Sequence, residues 1–190
     1  MTELLHHFQS ITRFSQKSWE FLQPALEAGE VSKNGYLLKT GEVCQSLFFI
    51  LKGSCRSFYI HDGEEINTAF YFETEFATNI KSLTLGMPSE YAIQACERMS
   101  VIKIDRLRLL DAYRQSSEIE SLGRTLLEAM MVKQEEHANL FKLLTPQQRY
   151  NFLEKNQPSL LQKISLTQLS SYLGISRETL SRIRRRNTKN

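Results

Sequence analysis

A chain of 190 residues with 41% hydrophobic and 24% charged residues is long enough for one domain or two small ones and too apolar for a disordered segment. The formal charge of +3 hides an asymmetry: from Ile164 onward six basic residues face the single acid Glu178, so a slightly acidic body carries a basic end suited to a polyanion. Cys44, Cys55 and Cys96 are an odd, scattered set without metal-ligand spacing, which argues against a disulfide framework and for buried thiols in a reducing compartment.

Thr2 to Thr12 lacks the apolar core of a secretion signal, and no apolar run is long enough to span a bilayer, so a cytoplasmic protein with no membrane partner is expected. From Thr2 to about Leu26 the pattern predicts two short helices, with Leu4, Leu5 and Phe8 on one face and Trp19, Phe21, Leu22 and Leu26 in the next. His6 and His7 are adjacent, hence about 100° apart on a helix, a poor geometry for chelating one metal ion. Between Glu27 and Ile104 short apolar runs, such as Leu47 to Leu51, Phe70 to Phe72 and Val101-Ile102, alternate with turn signals at Asn34-Gly35, Thr40-Gly41, Lys52-Gly53 and Asp62-Gly63. This predicts a small β-barrel or jelly roll. Asp105 to Tyr113 reads as a short closing helix.

Ser117 to Leu144 predicts one long helix, with Ile119, Leu122, Leu126, Met130, His137, Phe141 and Leu144 along one face. Such a stripe packs against a partner or against the rest of its own chain; Lys133 and His137 would interrupt a pure coiled coil. Thr145 and Pro146 suit the N-cap and first position of a following helix, with Tyr150, Phe152, Leu153, Leu160 and Leu161 as core and Pro158 as the stop. No Gly/Ser-rich linker separates the two regions, which makes Leu144 a hinge.

Ile164 to Arg186 predicts a helix-turn-helix. Leu166, Leu169 and Leu173 share one side of the first helix, Leu180 and Ile183 one side of the second, and Gly174 supplies the left-handed turn between them. Ser165 and Ser176 stand at N-cap positions. The second helix of such a unit lies in the DNA major groove, where arginine bonds guanine bidentately and glutamate accepts from the cytosine amino group. Arg177, Glu178 and Arg182 share its exposed side.

Two stretches carry a resemblance. Gly35, then Leu37 to Glu42, then Leu47 to Gly53 resembles the opening strands of cyclic-nucleotide-binding domains. Ser176-Arg177-Glu178-Thr179 followed by Arg182 resembles the recognition helix of the Crp/Fnr family of bacterial transcription regulators, and the match covers nearly the whole chain. The resemblance implies an α+β architecture. Residues 1–116 form a cyclic-nucleotide-binding-like sensor barrel, 117–144 a long dimerisation helix, and 145–190 an all-helical helix-turn-helix domain. The family's β-hairpin wing is missing, since the sequence ends at Asn190. It implies base reading by Arg177, Glu178 and Arg182, and phosphate contacts from Ser165, Thr167, Ser176 and Thr179. Arg184, Arg185, Arg186 and Lys189 would add phosphate contacts in place of the wing. Expected partners are double-stranded DNA, a second copy in a homodimer, and RNA polymerase.

The family's phosphate-binding cassette should span Phe76 to Ala95, but its Gly-Glu pair is replaced by Thr78-Asn79 and its Arg-Ser pair by Ser89-Glu90. Losing the arginine and adding Glu90 removes the countercharge for a cyclic phosphate, and Lys81 is the cassette's only cation, with nothing to fix its direction. Cyclic AMP is therefore not expected as an effector; another small effector, or none, stays open. The sensing groups of other relatives fare no better. Three scattered cysteines cannot hold an iron–sulfur cluster, and neither His61 nor His137 stands out as a haem ligand, so no cofactor is expected. A metal-dependent enzyme on a small barrel would need clustered histidines, and only His61 lies in the barrel region, so no catalytic role is expected. The alternative function is a ligand-binding or protein-interaction module of the same fold whose head has lost DNA.

Overall fold

The computed structural model describes residues 1–187. The chain divides into two compact units, one of residues 1–57 and 70–130, the other of residues 58–69 and 131–190.

The first unit opens with α1 (Thr2–Ile11), α2 (Gln16–Leu22) and one 3-10 turn, Gln23–Ala25, in which Pro24 needs no amide partner. Ser15 starts α2 by accepting from the Ser18 amide. Eight strands follow: β1 (Leu26–Val31), β2 (Tyr36–Leu38), β3 (Ser46–Lys52), β4 (Cys55–His61), β5 (Glu64–Tyr71), β6 (Phe76–Ala77), β7 (Ala92–Ala95) and β8 (Met99–Asp105). They form two four-stranded sheets in the orders β1-β8-β3-β6 and β2-β7-β4-β5, the interleaved order of a jelly roll, as expected. Asp62 and Gly63, both at positive φ, make the two-residue turn between β4 and β5. α3 (Ile80–Leu85) lies between β6 and β7, and α4 (Arg106–Gln115), capped by Asp105, leads into α5 (Ser117–Leu143). Cys55 opens β4, whereas Cys44 and Cys96 lie just outside strands.

The period-2 alternation of β3 and β8 builds two cores on opposite faces of one sheet. Phe48, Ile50, Met99 and Val101 point between the sheets with Leu38, Ile93 and Ala95. Phe49, Ile102 and Ile104 point the other way, onto Leu4, Phe8, Trp19 and Leu22. The second core also takes Ile119 and Leu122 of α5, both buried, with Leu126 and Met130 packed against it. The first part of the apolar stripe on the long helix, Ile119 to Met130, is thus occupied by its own chain. Leu127, Met131 and Val132 are left 47%, 72% and 56% exposed instead.

Glu118 ties the start of α5 to α2. Its Oε2 accepts from the Ser15 amide at 2.8 Å and from Ser18 Oγ at 2.6 Å, and Ser116 Oγ lies 2.8 Å from Ser18 Oγ. These hydrogen bonds hold the carboxyl down to about 2, against an ordinary value near 4.5. A folded-state pKa below the unfolded one adds stability at pH above about 4.5 that is lost as pH falls towards 2. Glu118→Gln is expected to lower the thermal-unfolding midpoint at neutral pH and to flatten its fall between those values, so that the two proteins converge at the acid end.

The second unit holds the end of α5, then α6 (Pro146–Asn156), α7 (Pro158–Lys163), α8 (Leu166–Leu173) and α9 (Arg177–Asn187). Thr145 and Gln148 form a capping box at the start of α6. Pro158 was expected to stop that helix; α6 already ends at Asn156, and Pro158 opens α7 as a first-position proline. Leu140, Tyr150, Leu153, Leu160, Leu169, Leu173, Leu180 and Ile183 are buried. Two expected core residues are not: Phe152 is 40% exposed, on the side of α6 turned away from Tyr150 and Leu153, and Leu166 is 41% exposed, in line with Leu169 and Leu173 but at the first position of α8. The β4–β5 turn region belongs to this unit, and Ser171 of α8 holds its backbone, Oγ donating to the Glu65 carbonyl (2.7 Å) and accepting from the Asn67 amide (3.0 Å).

Candidate functional site

α8 and α9 form the predicted two-helix unit. Ser165 and Gln168 make a second capping box, and Gly174 ends α8 at φ +65°, its amide donating back to Ser170 and Ser171 carbonyls. Ser176 Oγ then accepts from the Thr179 amide at 3.2 Å and starts α9. A side chain at 174 would meet no hard clash, but a left-handed backbone costs a non-glycine residue about 1–2 kcal/mol. Gly174→Ala is expected to destabilise the second unit by about 1 kcal/mol, read as a lowered midpoint in urea.

Leu180 and Ile183 anchor α9, which leaves the opposite face to solvent. Arg177, Glu178 and Arg182 are all exposed there. Their geometry is partly set by the cap: Ser176 Oγ donates to Thr179 Oγ1 at 3.1 Å, and Arg182 Nη2 donates to the same oxygen at 3.1 Å. Glu178 is held below the usual carboxylate range by its own backbone amide, then Ser176, with Arg177 and Arg182 adding to the effect. It is therefore a persistent acceptor beside two persistent donors. At 100° per residue, Ser181, Arg185 and Glu178 fall within about 60° of one another on the exposed face. Ser181 had no sequence signal of its own, since a lone serine in a helix is ordinary; its place is set by the burial of Leu180.

The expected phosphate-contacting residues do not share one environment. Ser165 and Thr167 are exposed at the start of α8, although the Ser165 hydroxyl already serves its capping box. Ser176 and Thr179 are occupied by the cap of α9. Arg184 is hydrogen-bonded to Tyr150 of α6, whereas Arg185 and Arg186 are exposed. Lys189 lies outside the described residues.

A residue that sequence reading passed over holds this unit together. Arg149 of α6 donates to the carbonyls of Leu144 (3.1 Å), Leu173 (2.9 Å) and Phe141 (3.4 Å), and its guanidinium sits 4.7 Å from the Phe141 ring centroid. It fastens the ends of α5 and α8 to α6. Asn187 closes the other end, bonded to Gln147, Asn151 and Glu154 of α6.

In the first unit the cassette positions are closed on themselves. Thr78, Asn79 and Ser89 are buried. Asn79 caps α3, Oδ1 accepting from the Ser82 amide (3.0 Å), while its Nδ2 donates to Ser89 Oγ (2.8 Å), which donates to the Tyr91 carbonyl (2.6 Å). Thr78 Oγ1 donates to the Ser46 carbonyl (3.0 Å), and the Tyr91 hydroxyl donates to the Thr78 carbonyl (3.2 Å). The direction of Lys81, expected to be unfixed, is set by an ion pair with Glu90 on the surface. The cassette's cation and anion thus neutralise each other outside the buried network.

The donors for other sensing groups are weak. Burial pushes the Cys55 thiol strongly up and the Cys96 thiol to about 11, so both stay protonated. His61 is exposed beside Asp62, and His137 lies between Phe141 and Tyr172, where burial lowers its pKa. Among the described residues no three His, Cys, Asp or Glu side chains group as a metal site, and no helix is long and apolar enough to cross a membrane.

Residues 29–116 match the cyclic nucleotide-binding domain family. No curated protein matches the chain in sequence. The fold is that of several solved regulators. FixK2 from Bradyrhizobium japonicum is 20% identical with a TM-score of 0.72, over 86% of this chain and 85% of its own. A putative transcriptional regulator of the crp/fnr family from Eubacterium rectale is 18% identical with a TM-score of 0.67, over 90% and 82%. The Thermus thermophilus catabolite activator protein is 19% identical with a TM-score of 0.56, over 93% and 84%.

Proposed function

We propose that this chain, a Crp/Fnr-type protein by fold with a cyclic nucleotide-binding domain over residues 29–116, works as a sequence-specific DNA-binding transcription regulator that does not answer to cyclic AMP. The observation that carries the reading is the exposed face of α9, where Arg177, Glu178 and Arg182 project from a helix anchored by Leu180 and Ile183. Two donors and an acceptor at the start of such a helix suit G·C pairs in the major groove. Arg185 and Arg186 supply phosphate contacts, which raise affinity without adding sequence information. Independence from cyclic AMP is supported by the closed network of Thr78, Asn79 and Ser89 and by the Lys81–Glu90 pair, which leave no free cassette cation for a cyclic phosphate.

The active form in this reading is a homodimer, with residues 1–116 as sensor barrel, 117–144 as dimerisation helix and 145–190 as DNA-binding head. Leu127, Met131 and Val132, exposed in the middle of α5, are apolar side chains available to a second copy once Ile119 and Leu122 are buried at home. Met131→Glu is expected to shift the sedimenting species from dimer to monomer; an unchanged mass would remove this face from the interface.

The test is selection of bound sequences from a random duplex pool, with and without cyclic AMP. A two-fold symmetric, G·C-containing motif with half-sites about 34 Å apart is expected in both arms. A motif only with nucleotide would overturn the reading of the cassette. No motif in either arm would favour an interaction module that has lost DNA.

A further inference from the structure

The helical side of the first unit is incompletely filled. A cavity of about 230 Å³ lies between α3, α4, α5 and the outer faces of β3 and β8, walled by carbon from Leu47, Leu83, Leu109, Leu122, Leu126 and Met130. Native interiors pack densely and leave few voids of this size, so a preformed apolar space invites an occupant.

Three polar side chains reach the wall, Thr84, Arg106 and Tyr113, and the last two lack a close side-chain partner among the described residues. Arg106 makes no ion pair with any described residue; Nη2 has only a long 3.5 Å contact to the Thr84 carbonyl. The hydroxyl of the partly buried Tyr113 makes no hydrogen bond to any described residue, and burial raises its pKa. Its ring fits only because residue 123 is glycine: a Cβ there would sit 2.2 Å from the hydroxyl oxygen. Arg106 and Tyr113 are two turns apart on α4, about 10 Å along its axis. The cavity therefore presents a cation towards one end, a hydroxyl towards the other and hydrocarbon between.

We propose that this cavity is a binding site for a medium-chain carboxylate, its acid group on the Arg106 guanidinium and its chain along Leu109, Leu122 and Leu126. Charge complementarity selects this class. A neutral hydrocarbon would leave the arginine unmatched, and a nucleotide would set polar surface against a carbon wall. The site is separate from the cassette network of Thr78, Asn79 and Ser89, and its occupant touches α5 directly.

The test is calorimetric titration of the full chain, without DNA, with decanoate and 1-decanol kept below micelle-forming concentrations, so its failure is independent of the DNA-binding reading. Decanoate is expected to bind saturably, one molecule per chain, and the alcohol about tenfold or more weaker. Arg106→Gln, at the cavity rim, is expected to lower decanoate to the alcohol's affinity and leave the alcohol unchanged. Leu126→Trp, which fills the space, should abolish both, with circular dichroism confirming that it folds. Equal affinity for acid and alcohol, or no response to Arg106→Gln, would overturn the proposal. So would a dimer that Arg106→Gln splits while decanoate gives no saturable heat, since the space would then belong to a second copy.

Discussion

Arg177→Ala is expected to weaken binding to the selected operator by about 10- to 100-fold, roughly 1–3 kcal/mol, while binding to scrambled duplex changes little. The asymmetry follows from the geometry of α9. Arg177 is at the first turn, exposed, and free to lay its fork on one guanine edge, so its loss is felt only where that guanine stands. Arg185→Ala or Arg186→Ala should behave differently, weakening all sequences alike and lowering the slope of log affinity against log salt by about 1. Competition binding at two salt concentrations separates the cases. If Arg177→Ala keeps full preference for the operator, base reading is assigned to the wrong face. Glu178→Gln adds a further check. Its carboxylate is held ionised by its own amide and Ser176, so the preference it confers should persist into mildly acidic buffer.

The parts of this molecule that were legible in the sequence are those fixed by local chemistry. Ser165, Gly174, Ser176 and Thr145 act where their side chains or backbone freedom dictate, and Asp62-Gly63 turns the hairpin as a pair at positive φ. The buried positions of β3 and β8 follow from a period of two. What depended on tertiary packing was not legible. The stripe from Ile119 to Leu144 looks uniform in sequence, yet Ile119 and Leu122 enter their own chain's core because α1, α2 and β8 present a complementary face. Pro158 marks a helix boundary either way, and only the early end of α6 decides that it starts a helix. At the cassette, the loss of the family pairs was visible at Thr78-Asn79 and Ser89-Glu90. That the replacements satisfy one another, Asn79 to Ser89 and Lys81 to Glu90, needed the positions of the backbone oxygens and the fold of the loop.

Arg149 is the clearest case of a role written in three dimensions, and its removal carries the second large expectation. In sequence it is one more cation on an amphipathic helix. In the second unit it satisfies the carbonyls of Phe141, Leu144 and Leu173, which lie at the C-terminal ends of α5 and α8, where helices leave acceptors without partners. The guanidinium also stacks on Phe141, whose ring lies 4.8 Å from His137 and 6.3 Å from Tyr172. Arg149→Ala would strip three acceptors of their donor and open a gap beside the aromatic cluster. Charged hydrogen bonds are worth about 1.5–3 kcal/mol each and water regains some of these part-buried carbonyls, so a loss of roughly 2–3 kcal/mol is expected. On that scale the unit of residues 131–187 should become sensitive to protease at temperatures where the first unit still resists. Operator binding should fall with it, even though Arg177, Glu178 and Arg182 are unchanged. Arg149→Lys should recover only part of the stability, because one ammonium cannot reach three carbonyls and lie flat on the ring. A variant with unchanged protease resistance would show that water replaces the guanidinium at little cost.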